Sequence, residues 1–246
     1  MTDAPTAVTP RTELKNLVVV TGHAIYLAKY GTPLEDRDWY LQAYEYGEPP
    51  LLIEHIHRGV EIAAADPSAL LVFSGGQSRA GAGPRSEAQG YWHLAERFRW
   101  WDRDGVAARA TTEEYARDSF ENLLFSICRF WEWTGRHPEH IHVLSWEFKR
   151  GRFDLIRAAL RIPEGSYTFV GVNEPPDPEA ARAGEAKTLA AIRLDPYGTG
   201  PELGPKREER NPFHRTAPYT LSCPPYAELL AHRGPDLFTG DLPWSS

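Results

Sequence analysis

Four polar clusters in this sequence carry residue types suited to acid, base or anion chemistry: Thr21-Gly22-His23, Ser74-Gly75-Gly76-Gln77 with its continuation to Arg85-Ser86-Glu87, the stretch Thr111 to Asn122, and the stretch Ser145 to Arg152. An imidazole ordinarily titrates near neutrality, so His23 either serves as a general base or fills a loop. The adjacent glycines Gly75 and Gly76 would let backbone amides approach a ligand, Ser86 would cap the next helix, and Arg79 and Arg85 would supply positive charge where a phosphate sits. The competing reading is a turn that happens to be glycine-rich. No Gly-Lys-Ser/Thr follows, so this is not a Walker loop, and the dinucleotide spacing is absent.

Glu87 and Glu121 each fall in the first turn of a predicted helix. There the macrodipole stabilises a carboxylate, so they either cap helices or act in a cleft as acid/base, ribose ligand or metal ligand. Asn122 would orient a substrate or bond a neighbouring loop. Lys149 and Arg152 are either solvated cations or a clamp for phosphate or carboxylate, with Arg152 favoured because its planar guanidinium binds in two-pronged fashion. Ser74 lacks the Gly-x-Ser-x-Gly elbow of serine hydrolases, and nothing marks a covalent nucleophile. His140 and His142 share a strand face at the strand's start, away from the end where ligands bind, so a zinc site is not expected. The tryptophan pairs Trp100-Trp101 and Trp131-Trp133 suit packing better than base stacking.

These clusters punctuate an alternation of apolar runs and helical patterns. Strands are predicted at Leu17–Thr21, Ala69–Phe73, Val106–Ala110, Ile141–Ser145 and Tyr167–Val170, and helices at Pro50–Ala65, from the Ser86 cap to about Trp101, at Asp118–Gly135, Arg152–Leu160 and Pro178–Ile192. The βαβα rhythm predicts an α/β fold, a Rossmann-like three-layer sandwich with a mostly parallel central sheet. In such a sheet ligands bind beyond the carboxyl ends of the strands, which is where the polar clusters fall. The chain divides into a flexible N-terminal segment (1–15), an α/β domain (16–194) and an extended Pro-rich C-terminal arm (195–246). The arm has one short helical candidate, Tyr226–Ala231. Its large apolar residues, among them Tyr197, Tyr219, Tyr226 and Trp244, argue that it packs on the core and is not disordered.

The 246 residues carry 27 Lys+Arg against 34 Asp+Glu, a formal net charge of −7. That balance argues against non-specific nucleic-acid binding. It does not argue against an anionic small molecule, because Arg79, Arg85, Lys149, Arg150 and Arg152 are expected to converge at the cleft. The stretch Met1 to Lys15 lacks the apolar core of a signal peptide, and no run of 18 apolar residues occurs, so a cytoplasmic protein without a membrane partner is expected. Cys128 and Cys223 form neither a disulfide framework nor a zinc pattern.

Taken together, Gly22-His23, Ser74-Gly75-Gly76, Ser86-Glu87-Ala88, Ser119-Phe120-Glu121-Asn122 and the Ser145 to Arg152 turn resemble the YdcF/SanA/ElyC family over about residues 16 to 172. That family's pattern has a glycine cluster after the first strand, SGG followed by SEA, a Thr-x-Glu-Asn helix start, and a Ser-x-x-His-x-x-Arg turn. Here Lys149 stands where the family has its histidine, and the glycine cluster is reduced to Gly22-His23. The resemblance implies the soluble YdcF-like branch, associated with S-adenosylmethionine or a nucleotide-like ligand; if the family's histidine carries a proton, this protein either uses Lys149 or His23 instead or does different chemistry.

The reading expected from all this is an enzyme acting on a small phosphorylated or nucleotide-like metabolite by hydrolysis or group transfer, as a monomer or homodimer. Glu121, His23, Lys149 and Arg152 would be catalytic. Gly22, Ser74, Gly75, Gly76, Gln77, Arg85, Ser86, Glu87, Asn122 and Ser145 would bind the ligand. S-adenosylmethionine is the one cofactor the resemblance raises, and no metal is assigned. The rivals are a non-catalytic S-adenosylmethionine or nucleotide sensor and a scaffold whose arm grips a partner.

Overall fold

The computed structural model describes residues 10–244. In chain order the elements are β1 (Asn16–Thr21), the short hairpin strands β2 (Ile25–Tyr26) and β3 (Trp39–Tyr40), α1 (Pro49–Ala65), β4 (Ala69–Ser74), α2 (Glu87–Arg97), β5 (Ala110–Glu113), α3 (Ser119–Thr134), β6 (His140–Ser145), α4 (Arg150–Ala159), β7 (Tyr167–Gly171) and α5 (Pro178–Leu194). Three short helices follow, α6 (Leu203–Glu209), α7 (Tyr219–Ser222) and α8 (Ala227–Ala231).

The five long strands form one sheet in the order β5-β4-β1-β6-β7, with every pairing parallel. Helices cover both faces. Along β1, Val18 and Val20 face α1 and α2 with Leu52, Ile56, Tyr91 and Leu94, while Leu17 and Val19 face α3 and α4 with Leu124, Ile127, Phe153 and Ile156. Burial on both faces is why the strands read as unbroken apolar runs. The chain runs from β1 outward to β4 and β5, then crosses back to β6, so the sheet order reverses between β1 and β6. This is the crevice where α/β sheets bind ligands.

Three local expectations are corrected. The third strand is Ala110–Glu113, not Val106–Ala110, because the register pairs Leu71 with Ala110 and Ser74 with Glu113. A carboxylate ends that strand, and it is held by the Tyr115 amide and by the Ser74 and Tyr219 hydroxyls, compensation that hydropathy does not reveal. The second long helix stops at Arg97, not near Trp101, since Arg99 to Asp102 all take positive φ of 51 to 56°. That turn lets Trp101 stack on His57 and Phe98 at centroid distances of 4.6 and 5.2 Å, contacts that offset the unfavourable backbone. The fourth helix begins at Arg150, two residues before Arg152.

Of the predicted flexible segment, residues 1–9 lie outside the described residues. Arg11 and Lys15 donate backbone hydrogen bonds to Trp133 O and Ser68 O at 2.8 and 2.7 Å, and Leu14 is fully buried, so the rest of the segment is pinned to the core. The C-terminal region packs over α3 and α4. Tyr197, Tyr219, Cys223, Tyr226, Leu229 and Leu242 are buried in the same core cluster as those helices, and Trp244 Nε1 donates to Leu160 O at 2.8 Å. It carries α6 and α7 as well as the one helix anticipated. Among the described residues no helix is long and apolar enough to cross a membrane.

Candidate functional site

At the carboxyl ends of β1 and β6 lies a cleft of about 740 Å³, bounded by the loop after β1, the turn before α4 and the first half of α5. His23 stands two residues beyond β1. Its Nδ1 lies 3.2 Å from Lys149 Nζ, and its Nε2 lies 3.2 Å from Glu48 Oε2 and 3.8 Å from Glu45 Oε1. An ammonium only donates, so Nδ1 accepts from Lys149 and the neutral imidazole carries its proton on Nε2, facing the two carboxylates. Burial pushes the His23 pKa well down, reinforced by the Lys149 charge.

The chain builds this cluster from distant parts. The buried Asp38 carboxylate accepts from the Tyr30 and Thr32 amides at 2.7 and 2.5 Å, closing the loop that ends in the β2–β3 hairpin. Beyond it, Glu45 Oε2 accepts from the Gln42 amide at 2.6 Å, and Glu48 directly precedes Pro49 at the start of α1. Both carboxylates are almost fully buried, and apart from the His23 Nε2 group that faces them, Glu45 Oε1 and Glu48 Oε2 have no hydrogen-bond partner among the described residues. Burial lifts the Glu48 pKa to about 7 against the opposing pull of Lys149. Burial lowers Lys149 to about 8, with the nearby Arg152 charge adding to the effect.

Gly22, His23, Glu87, Asn122, Lys149 and Arg152 all border this cleft. Their roles differ from the sequence reading in several places. Arg152 does not present a free fork: Nε donates to Glu185 Oε1 at 3.0 Å, Nη2 bonds Glu185 Oε2, and Nη1 donates to Ser119 Oγ at 3.2 Å. Its charge reaches the cleft, but its planar face is committed to α5. Glu87 bonds Ser78 and packs against Gly22 and Gly75, where an added Cβ would come within 2.6 and 2.8 Å of the Glu87 Cβ. Those two glycines make room for Glu87. They do not open space for a phosphate.

The expected anion cradle is absent for the same reason. The amides of Gly22, Gly75 and Gly76 donate to Ser74 O, Glu113 O and Ala116 O at 2.6, 3.0 and 2.7 Å, and the first amides of α2, those of Glu87 and Ala88, are taken by Gly76 O and Gly75 O. Ser86 accepts from the Gln89 amide, a plain helix cap. Arg85 is exposed and donates to Ala82 O, and neither it nor Gln77 borders the cleft. Ser74 is fully buried beneath the floor, 2.8 Å from Glu113 and 2.9 Å from the Asn122 amide oxygen. Ser145 is equally buried and accepts from Thr21 Oγ1 at 2.8 Å, tying β6 to β1. Of the expected cation cluster, Arg79, Lys149 and Arg152 meet at the cleft, whereas Arg150 pairs with Glu147 and lies over Phe169.

Glu121 is also displaced from its expected role. Its Oε2 accepts from Arg117 N and Nε at 2.9 Å, its Oε1 from Arg117 Nη2 at 2.7 Å, and Arg207 Nε lies 3.6 Å away. It faces a second cavity under the C-terminal helices and acts as a strut. The helix periodicity that located it gave no sign of which way the first turn of α3 points.

Glu45, Glu48 and Arg210 carry no sequence signal of their own. Glu45 and Glu48 sit in a Tyr- and Pro-rich loop without a strand to announce it, and Arg210 arrives from the C-terminal region. Among the described residues no group of three or more His, Cys, Asp or Glu is arranged to hold a metal ion. Among the described residues Arg79, Lys149 and Arg210 have no carboxylate within salt-bridge distance, so they are the cleft's unpaired cations, although the lining as a whole sets five cationic side chains against six carboxylates.

The fold and site therefore define an α/β protein with a polar cleft at the topological switch point of a parallel sheet. The chain is similar to an uncharacterized protein of Saccharomyces cerevisiae, YOR238W, at 27% identity over 230 residues, covering 74% of this chain and 76% of that protein. No family model and no solved structure matches.

Proposed function

We propose that this protein is an enzyme that binds a small phosphorylated or nucleotide-like metabolite in the β1/β6 cleft and transfers its phosphoryl group to water or an acceptor hydroxyl. The observation that carries the reading is the Lys149–His23–Glu48 line, in which a buried lysine shifted to about 8 and a buried carboxylate shifted to about 7 flank a neutral imidazole at the edge of a polar cleft that holds the unpaired cations Arg79 and Arg210. Arg79, Arg210 and Lys149 draw in the anion. Ionised Glu48, with His23 beside it, accepts the proton of the attacking oxygen as the new oxygen–phosphorus bond forms. Lys149 gives a proton to the departing oxygen as the old bond breaks. Group values near the operating pH suit both transfers.

The YdcF-like kinship belongs to this proposal, supported by the meeting of Gly22, Asn122, Lys149 and Arg152 at one cleft, as does a cytoplasmic setting for a monomer or homodimer. Lys149 stands at the family's histidine position and faces His23, so the pair would share that histidine's task. A second reading, a non-catalytic S-adenosylmethionine or nucleotide sensor, is favoured by Tyr44 and Tyr46, which line the cleft although 71% and 61% exposed. Exposed rings at a cleft mouth offer a face for a purine to stack on.

Thermal-shift and turnover screens against sugar phosphates, nucleotides and S-adenosylmethionine separate the readings. Stabilisation with phosphate release that is lost in His23→Ala and Lys149→Met supports the enzyme. Stabilisation without turnover supports the sensor. The absence of stabilisation by any small anion overturns both.

A further inference from the structure

A second cavity of about 750 Å³ lies between α3 and the C-terminal helices. It shares only Arg117 with the catalytic cleft and is built quite differently. Its floor is apolar: Leu124, Phe125, Tyr197, Tyr219 and Leu229 line it, and all are buried at 7% exposure or less. Its walls carry Arg117, Arg207, Arg215 and Arg233 against only two carboxylates, Glu121 and Glu208. Those two are spoken for, since Arg117 bonds both and Arg207 lies against Glu121 and Asp118.

Arg215 and Arg233 are the surplus charge. Among the described residues neither has a carboxylate within salt-bridge distance. Arg215 donates through Nη1 to Glu114 O at 2.7 Å and holds its guanidinium 4.1 Å from the centre of the Tyr115 ring, which fixes it at the wall while leaving Nη2 and Nε without an acceptor among the described residues. Arg233, also on the lining but exposed, donates through Nη1 to Leu230 O and His232 O at 2.9 and 2.7 Å. A held guanidinium with unused donors is suited to paired recognition of an oxyanion.

We propose that this cavity is a binding site for an amphipathic anion, a small molecule whose alkyl or aromatic body fills the apolar floor and whose carboxylate, sulfonate or phosphate meets Arg215 and Arg233. The apolar floor excludes a simple inorganic anion as the main occupant, because burial of an apolar body supplies most of the binding free energy in such pockets. The excess of arginine excludes a cationic one. Arg117 ties the site to the cleft: one guanidinium group borders both cavities and is held by Glu121 and Glu208 from the second.

Decanoate, decylammonium and decanol, matched in chain length, test the proposal when titrated by calorimetry into the full-length protein, with anilinonaphthalene sulfonate as a fluorescent reporter. Decanoate is expected to bind with one-to-one stoichiometry and displace the reporter, at least tenfold more tightly than the ammonium or the alcohol. Arg215→Ala/Arg233→Ala is expected to weaken decanoate at least tenfold while the circular dichroism melt stays intact. Leu230→Trp, which narrows the mouth, is a second variant with the same expectation. Lys149→Met is expected to leave decanoate binding unchanged, which separates this site from the catalytic cleft. Equal binding of all three probes, unweakened binding in both arginine and tryptophan variants, loss of binding in Lys149→Met, or no saturable binding would each overturn the proposal.

Discussion

Lys149 Nζ lies 3.2 Å from His23 Nδ1 across 126 residues of sequence, at the point where the parallel sheet reverses its order. The contact fixes the imidazole tautomer and places a proton donor and an ionisable carboxylate, Glu48, on opposite sides of one ring.

Turnover should follow a bell-shaped pH profile. It rises as Glu48 ionises through about 7 and falls as Lys149 loses its proton through about 8. Glu48→Gln should remove the acidic limb and lower the maximum by about two orders of magnitude, as loss of a general base does. A variant profile identical to that of the parent protein would place the base elsewhere.

Lys149→Met should be more stable than the parent at neutral pH. The folded state lowers the Lys149 pKa from 10.5 to about 8 through burial, so the ammonium destabilises the fold fully below pH 8. That penalty fades as the pH rises from about 8 toward 10.5. The gain at pH 7 should be on the order of 2 to 3 kcal/mol, shrinking toward zero above pH 10.5, in urea melts at several pH values.

Arg152→Ala should be strongly destabilising, because it strands the Glu185 carboxylate, 4% exposed, without its partner. A loss of about 3 kcal/mol is expected, and Arg152→Ala/Glu185→Gln should recover much of it. Additive losses in the double-mutant cycle would mean that the ion pair is not what holds α5 to α4.

Gly22→Ala should cost about 1 to 3 kcal/mol and lower turnover. The new Cβ would lie 2.6 Å from Glu87 Cβ and 3.0 Å from Ser74 O, and the Ser74 carbonyl belongs to the sheet and cannot move aside. Displacement of the loop would carry His23 with it. Chemical denaturation together with initial rates would show both effects.

Tyr226→Ala should destabilise the whole fold by about 3 to 5 kcal/mol in chemical denaturation, since the ring is fully buried against the α3/α4 core beside Trp244 at a centroid distance of 5.6 Å. A change confined to local proteolysis of the C-terminal region would show instead that this region opens independently of the sheet.

The α/β architecture was legible in the chain because periodicity survives any arrangement of neighbours. LVVV and ALLVF are apolar on both faces, and only a covered parallel sheet buries both. Gly22, His23, Asn122, Lys149 and Arg152 border one cleft because each follows a strand or opens a helix at the sheet's carboxyl edge, a position set by topology. Which backbone amides stay free was not legible. The Gly75-Gly76 pair has the composition of an anion cradle, yet carbonyls brought in by β5 and by the Tyr115–Ala116 turn take its donors. Glu48 escaped notice because a carboxylate in an irregular loop looks solvated until tertiary packing buries it. The sequence by itself determined the layers and the edge at which chemistry gathers, since these depend on local pattern. Only the tertiary structure decided which carboxylate meets His23, which arginines stay unpaired and where the second cavity opens, since charge pairing and desolvation depend on residues far apart in the chain.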